Sequence, residues 1–135
     1  MKYLDTRDLY KRQQELQGEL DNLIEDRNDA EDAEDAEELA YAEKELQDWI
    51  EEYQDELDEL NALETEIGYE WQYGETLIPD SELENYVEEF CYDVGYLEKD
   101  SWLASYIDWE AVARDFKMDY SYVDFEGETY WYRMS

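Results

Sequence analysis

Chemistry needs nucleophiles, bases and metal ligands, and this chain offers an odd selection of them. It has no histidine, one cysteine, and 42 Asp and Glu against 10 Lys and Arg. Without histidine the commonest general base and metal ligand is missing. Cys91 has no histidine to activate it, so a cysteine-hydrolase arrangement is ruled out. Its place beside Phe90 in a helical pattern reads as a packed core residue. Gly95 and Gly127 stand alone, so no glycine-rich loop is available to cradle phosphate. Carboxylate pairs of the kind glycosidases use are everywhere, and in so acidic a chain they arise by chance. The run 29–38 lacks the Asp-x-Asp-x-Asp-Gly spacing of a calcium loop. The expectation is therefore no enzyme, no cofactor and no metal site.

The carboxylates do carry a second kind of chemistry, which is to stand in for phosphates. The formal charge is -32. Self-repulsion on that scale opposes compaction, and ordinary exposed helices relieve it with Lys and Arg at i,i+4. Here that relief is withheld. Residues 1–27 carry a net of about -2, residues 28–67 about -17 with Lys44 as the one base, and residues 68–135 about -13. The partner-binding candidates are Glu37, Glu38, Glu45, Asp48, Glu52, Asp55, Glu56 and Glu59. Their natural partner is a basic surface. Nucleic acid and anionic membranes would both repel such a chain.

The composition also shows what must position these groups. Apolar residues make up 43% of the chain and aromatics 16%, too much for a disordered acidic segment. Leu9, Leu16 and Leu23, with Leu20 and Ile24 beside them, predict an amphipathic helix over 6–27. A break is expected at 28–34, around the small repeat 29–36. Leu39, Leu46, Tyr53, Leu60 and Ile67 then form a heptad series flanked by Trp49, Ile50, Leu57 and Leu63. Two such helices on a short link pack as an antiparallel hairpin. The second is expected to overhang the first, about 52 Å against about 33 Å. Leu57, Leu60 and Leu63 would then face the remainder of the chain or a second copy in a homodimer.

The second part opens on aromatic connecting chain over 69–76. A capping box, Ser81-Glu82-Leu83-Glu84, is expected to start a helix with Leu83, Tyr86, Val87, Phe90 and Val94 on its apolar face. Gly95 suits its left-handed C-cap. Asp108 suits the N-cap of a helix from Trp109 to about Lys117, with Arg114 as an intrahelical partner. Residues 120–125 alternate, Glu126-Gly127 reads as a two-residue turn, and 128–133 return. Tyr69, Trp71, Tyr73, Tyr120, Tyr122, Tyr130 and Tyr132 read as core of this small module, or as contact area for a partner.

The resulting expectation is an α+β chain. A coiled-coil-like antiparallel helical hairpin (1–67) precedes a small module of two helices and a β-hairpin (68–135).

The run Tyr106-Ile107-Asp108-Trp109-Glu110-Ala111-Val112-Ala113-Arg114-Asp115-Phe116 resembles the antirestriction protein ArdA family, as do Leu77-Ile78-Pro79-Asp80-Ser81, Tyr86 and Phe90 upstream. The resemblance spans roughly 76–133. It implies a phage or mobile-element protein that imitates bent duplex DNA, dimerises, and blocks the DNA groove of a restriction enzyme. ArdA proteins are typically longer and built of several α/β modules, where this chain has the hairpin.

Charge, composition and resemblance give one functional expectation: a cytoplasmic DNA-mimic inhibitor of a restriction, CRISPR or other nucleic-acid-binding defence protein in the host cell. The alternative is a structural or assembly protein that dimerises through the hairpin. Apolar runs are too short to span a bilayer, and no signal-peptide core is seen at the N-terminus.

A chain limited by its own repulsion is expected to gain stability when that repulsion is screened. Raising sodium chloride from about 0.1 to 1 M shortens the Debye length from about 10 to about 3 Å. At pH 7 the melting temperature should climb over that range in calorimetry. A fall would mean that favourable ion pairs dominate.

Overall fold

A computed structural model describes residues 3–133. The chain is α+β. The helices are α1 (Thr6–Asp32), α2 (Ala36–Ile67), α3 (Leu83–Asp93) and α4 (Trp109–Phe116). The strands are β1 (Leu4–Asp5), β2 (Thr76–Pro79), β3 (Tyr120–Phe125) and β4 (Glu128–Arg133), and all four form one antiparallel sheet in the order β1-β2-β4-β3.

The chain divides into two compact units. Among the described residues one spans Arg7–Tyr73, and the other combines 3–6 with 74–133. The N-terminal strand thus belongs with the C-terminal module. Leu4 pairs with Leu77 and Asp5 with Thr76. The Thr6 amide donates to the Glu75 carbonyl (3.0 Å), and the Glu75 amide donates to the Thr6 hydroxyl (2.7 Å). Thr6 is wholly buried. The helical hairpin is therefore the connection between two paired strands. Strands of two and four residues are too short for the period-2 signal by which sequence reveals a strand, so the expected hairpin of 120–133 is half of the real sheet.

Within the first unit α1 runs five residues beyond its expected end. Ala and Glu carry it through the small repeat, because both are good helix formers. The reversal is confined to residues 33–35. Glu34 takes the left-handed conformation (φ 57), and the Asp35 carboxylate accepts from the Glu38 amide as N-cap of α2. The helices are consequently better matched than the expected overhang, with 27 and 32 residues. Leu57, Leu60 and Leu63 are 1%, 1% and 2% exposed, so none of them is left for a second copy.

A polar knot lies inside this unit. Gln13 is 3% exposed, and its amide serves three partners. The buried Trp71 indole N–H donates to Gln13 Oε1 (2.8 Å), while Gln13 Nε2 donates to Asn61 Oδ1 (2.8 Å) and Glu64 Oε1 (2.9 Å). One side chain on α1 thereby fixes α2 and the 3₁₀ turn Gly68–Trp71 that follows it. A satisfied buried network of this kind specifies register, since any slip leaves polar groups unpaired.

The second unit packs Ile78, Leu83, Val87, Cys91 and Ala113 into one core, with Trp109, Val112, Phe116, Tyr120 and Trp131 against it. The capping box does not form. After Pro79 the chain takes a 3₁₀ turn, Asp80–Glu82, so Ser81 lies inside a helical turn and α3 has no side-chain cap. Asp80 is engaged elsewhere, accepting from the Trp131 indole (2.8 Å). The other end of α3 closes as a Schellman motif: Tyr96 N–H donates to the Cys91 carbonyl (2.9 Å) and Gly95 N–H to the Tyr92 carbonyl (3.2 Å), with Gly95 at φ 82. Asp108 caps α4 by accepting from the Ala111 amide (3.2 Å). Arg114 forms no ion pair among the described residues and points to solvent, in contrast to its expected intrahelical role. Glu126 (φ 50) and Gly127 (φ 79) form the hairpin turn with the two positive φ values a type I′ turn requires. Among the described residues no helix is long and apolar enough to cross a membrane.

The knot makes a sharp prediction. Gln13→Ala removes the acceptor of a buried indole N–H, at a cost of about 1–3 kcal/mol. The melting temperature should drop by several degrees, where the exposed neighbour change Gln14→Ala leaves it within about a degree.

Candidate functional site

An α-helix advances about 100° per residue. On that wheel the buried Ala42, Trp49, Leu57 and Leu60 of α2 share one side with the half-buried Leu46, Ile50 and Tyr53, while the buried Leu63, near the helix end, falls at the angle of Glu45. The eight candidate acids occupy a single arc of about 100° next to that stripe. Glu37, Glu38, Glu45, Asp48, Glu52 and Asp55 are exposed, while Glu56 and Glu59 are half-buried.

The arc is coherent, but its members are not equivalent. Asp48 accepts from Lys44 Nζ one turn earlier (3.1 Å), a pair exposed on both sides and worth little. Glu56 lies at the margin nearest the stripe. It takes a two-pronged bond from Arg12 of α1, Nε to Oε2 at 2.7 Å and Nη2 to Oε1 at 3.1 Å. The guanidinium also lies 5.7 Å from the Tyr53 ring centroid. These bonds hold the Glu56 carboxyl below the ordinary carboxylate range. Glu56 is thus a clasp between the two helices, and its carboxylate is turned to α1. The candidates for an external partner narrow to the exposed acids of the arc.

The field of that face acts on its tyrosines. Tyr41 is 61% exposed, yet its phenol is raised, chiefly by its hydrogen bond to Glu45. The Tyr53 phenol is raised chiefly by the charge of Glu52. Near the reversal, Arg27 bonds Glu31 (2.7 Å) and reaches Glu43 of α2 (3.6 Å). Arg12 and Arg27 were not singled out from sequence. The signal for them was present, since five of the ten bases fall in residues 1–27, opposite the most acidic segment.

In the second unit the aromatics divide. Tyr130 and Tyr132 are buried, as is Trp71 of the first unit, which agrees with a core role. Tyr122 is 57% exposed, and Tyr69 and Tyr73 of the first unit are 78% and 55% exposed. Trp102 (73%) and Tyr106 (78%) stand on a 3₁₀ turn, their rings edge to face at 5.8 Å. Cys91 is buried, and burial pushes its thiol up, which disfavours a reactive thiolate. Among the described residues no three His, Cys, Asp or Glu side chains converge as metal ligands. Comparison with protein-family models, with curated proteins and with solved structures finds no match to this chain.

The division of the arc can be read by mutation. Glu56→Lys places a cation against Arg12 and should lower the melting temperature by the equivalent of about 1 kcal/mol or slightly more, in keeping with a pair more than a third exposed. Glu52→Lys should leave it unchanged or raise it. The clasp also has a pH sign. Because the folded Glu56 pKa is depressed, its stabilisation is present above the ordinary carboxylate pKa and is lost as pH falls through the folded value. The gap between Glu56→Gln and the parent chain should therefore close at the acid end of a pH series.

Proposed function

We propose that this chain is a DNA mimic. Its acidic α2 face occupies the duplex-binding groove of a basic defence protein, such as a restriction enzyme or a CRISPR effector, and so acts as a counter-defence inhibitor. The observation that carries the reading is the single arc of Glu37, Glu38, Glu45, Asp48, Glu52 and Asp55 on a helix whose one base is Lys44. The six exposed acids of the arc run from Glu37 to Asp55, about 27 Å of axis, or one per about 5 Å. Each strand of duplex DNA presents a phosphate about every 3.4 Å. A surface built to read phosphates by Lys and Arg would meet a row of anions on one face, more widely spaced than the phosphates of one strand. Lys and Arg of that surface would release the counterions held by these carboxylates, as they release those held by DNA.

Two further features support the reading. The ArdA-like run 106–116 crosses the N-cap Asp108, forms α4 and leads into the β3–β4 hairpin. Exposed tyrosines beside the acids, Tyr41 above all, add contact area of the kind that interfaces favour. The assembly alternative draws less support, because the leucines it would use, Leu57, Leu60 and Leu63, are buried.

Competition decides it. A labelled duplex bound to a purified type I restriction enzyme should be released by this chain, and the release should weaken steeply between about 50 and 200 mM salt. The variant with Glu45, Asp48, Glu52 and Asp55 changed to Lys spares the Glu56 clasp and should keep its helical circular dichroism. At about 0.2–1 kcal/mol per exposed charge, it should bind at least about fourfold more weakly. Duplex and chain bound together on the same enzyme would sink the proposal. So would a folded fourfold variant of unchanged affinity.

A further inference from the structure

The second unit contains a cleft of about 710 Å³ at the C-terminal ends of α3 and α4, closed on one side by the start of β3. Its walls are aromatic. Phe90 packs edge to face on Tyr96 (6.3 Å, 70°) and on Phe116 (5.5 Å, 81°), and Phe116 meets Tyr120 at 6.3 Å and 44°. These rings meet at 44–81° and so do not stack flat on one another across the cleft. Two carboxylates, Asp115 and Asp119, line the same volume. Neither forms an ion pair with any described residue. Tyr120 is a neutral phenol pushed up to about 12 by burial, so it offers a ring face and adds no charge.

Ring faces carry negative quadrupole potential, carboxylates carry full charge, and helix C-termini carry partial negative charge. All three point to a cation. The molecule already uses this combination twice. Arg12 lies over Tyr53 at 5.7 Å and bonds Glu56, and Lys117 Nζ lies 4.9 Å over Trp131 and 3.5 Å from Asp80. In both cases an aromatic face and a carboxylate hold one cation from the chain itself. In the cleft the combination is larger, with four rings and two carboxylates. The one base on its lining, Arg133, is exposed and pairs with neither acid.

We propose that this cleft receives an arginine side chain presented by a basic protein segment. A guanidinium suits it better than an ammonium, because its plane stacks on rings and its fork serves two carboxylates at once. The inference deepens the reading of a basic partner and rests on it only for what carries the arginine.

The test uses the full chain and the blocked peptide acetyl-Gly-Arg-Gly-amide in calorimetry at 0.1 M sodium chloride. Saturable binding is expected, with the lysine analogue severalfold weaker. Asp115→Asn with Asp119→Asn should weaken the arginine peptide at least about fivefold, and Tyr96→Ala by about two- to fivefold, the range of an exposed cation–π contact. The charge-matched pair Glu84→Gln with Glu110→Gln should leave affinity within about twofold. Arg133→Ala should tighten binding, an effect that misfolding cannot mimic. Equal losses in both double variants would reduce the binding to the bulk field of an acidic chain and overturn the site. Binding of free agmatine without binding of the blocked peptide would overturn it in favour of a small free cation. The assay holds no DNA-binding protein, so its failure leaves competition by α2 standing, and failure of that competition leaves the cleft standing.

Discussion

Like-charge repulsion along α2 is the constraint to which the rest of the first unit answers. A helix with thirteen acids and one base cannot be held by its own side-chain pairs. It is held from its other side. The buried Trp49, Leu57, Leu60 and Leu63 remove apolar surface from water, and α1 supplies the cations Arg12 and Arg27. Arg12 neutralises the acid at the margin of the stripe, and Arg27 does the same near the reversal. The exposed acids of the adjoining arc are left to water and counterions, which screen them.

The Gln13 knot answers the same constraint in another way. Apolar heptads tolerate sliding, and uniform negative charge does not forbid it, since one acid resembles the next. Trp71, Asn61 and Glu64 can satisfy a single buried amide in one register only. Specificity that charge pairs would normally provide between two helices is supplied here by three neutral or single-ended hydrogen bonds.

Much of this was legible in the residues, and what escaped did so for physical reasons. Heptad leucines revealed both long helices, Gly95 and Asp108 revealed helix ends, and Glu126-Gly127 revealed the hairpin. These are local signals with local causes. Strands β1 and β2 had none, because they owe their pairing to each other across the whole helical hairpin. Ser81 carried a correct local signal that lost to the turn imposed by Pro79 and to the bond from Trp131 to Asp80. Of the acidic arc, its location and members were readable from spacing. The demotion of Glu56 was not, since it depends on where an arginine 44 positions away falls.

The insertion of the hairpin between two hydrogen-bonded strands has an evolutionary consequence. Its ends enter and leave at Thr6 and Glu75, which are bonded to each other. Whole turns can be added to or removed from both helices together while the sheet keeps the same ladder. The hairpin is thus a yardstick whose length can drift under selection, heptad by heptad, while the small sheet that carries it stays unchanged. A lineage built this way could change the length of its anionic face by indels alone, without inventing a new fold.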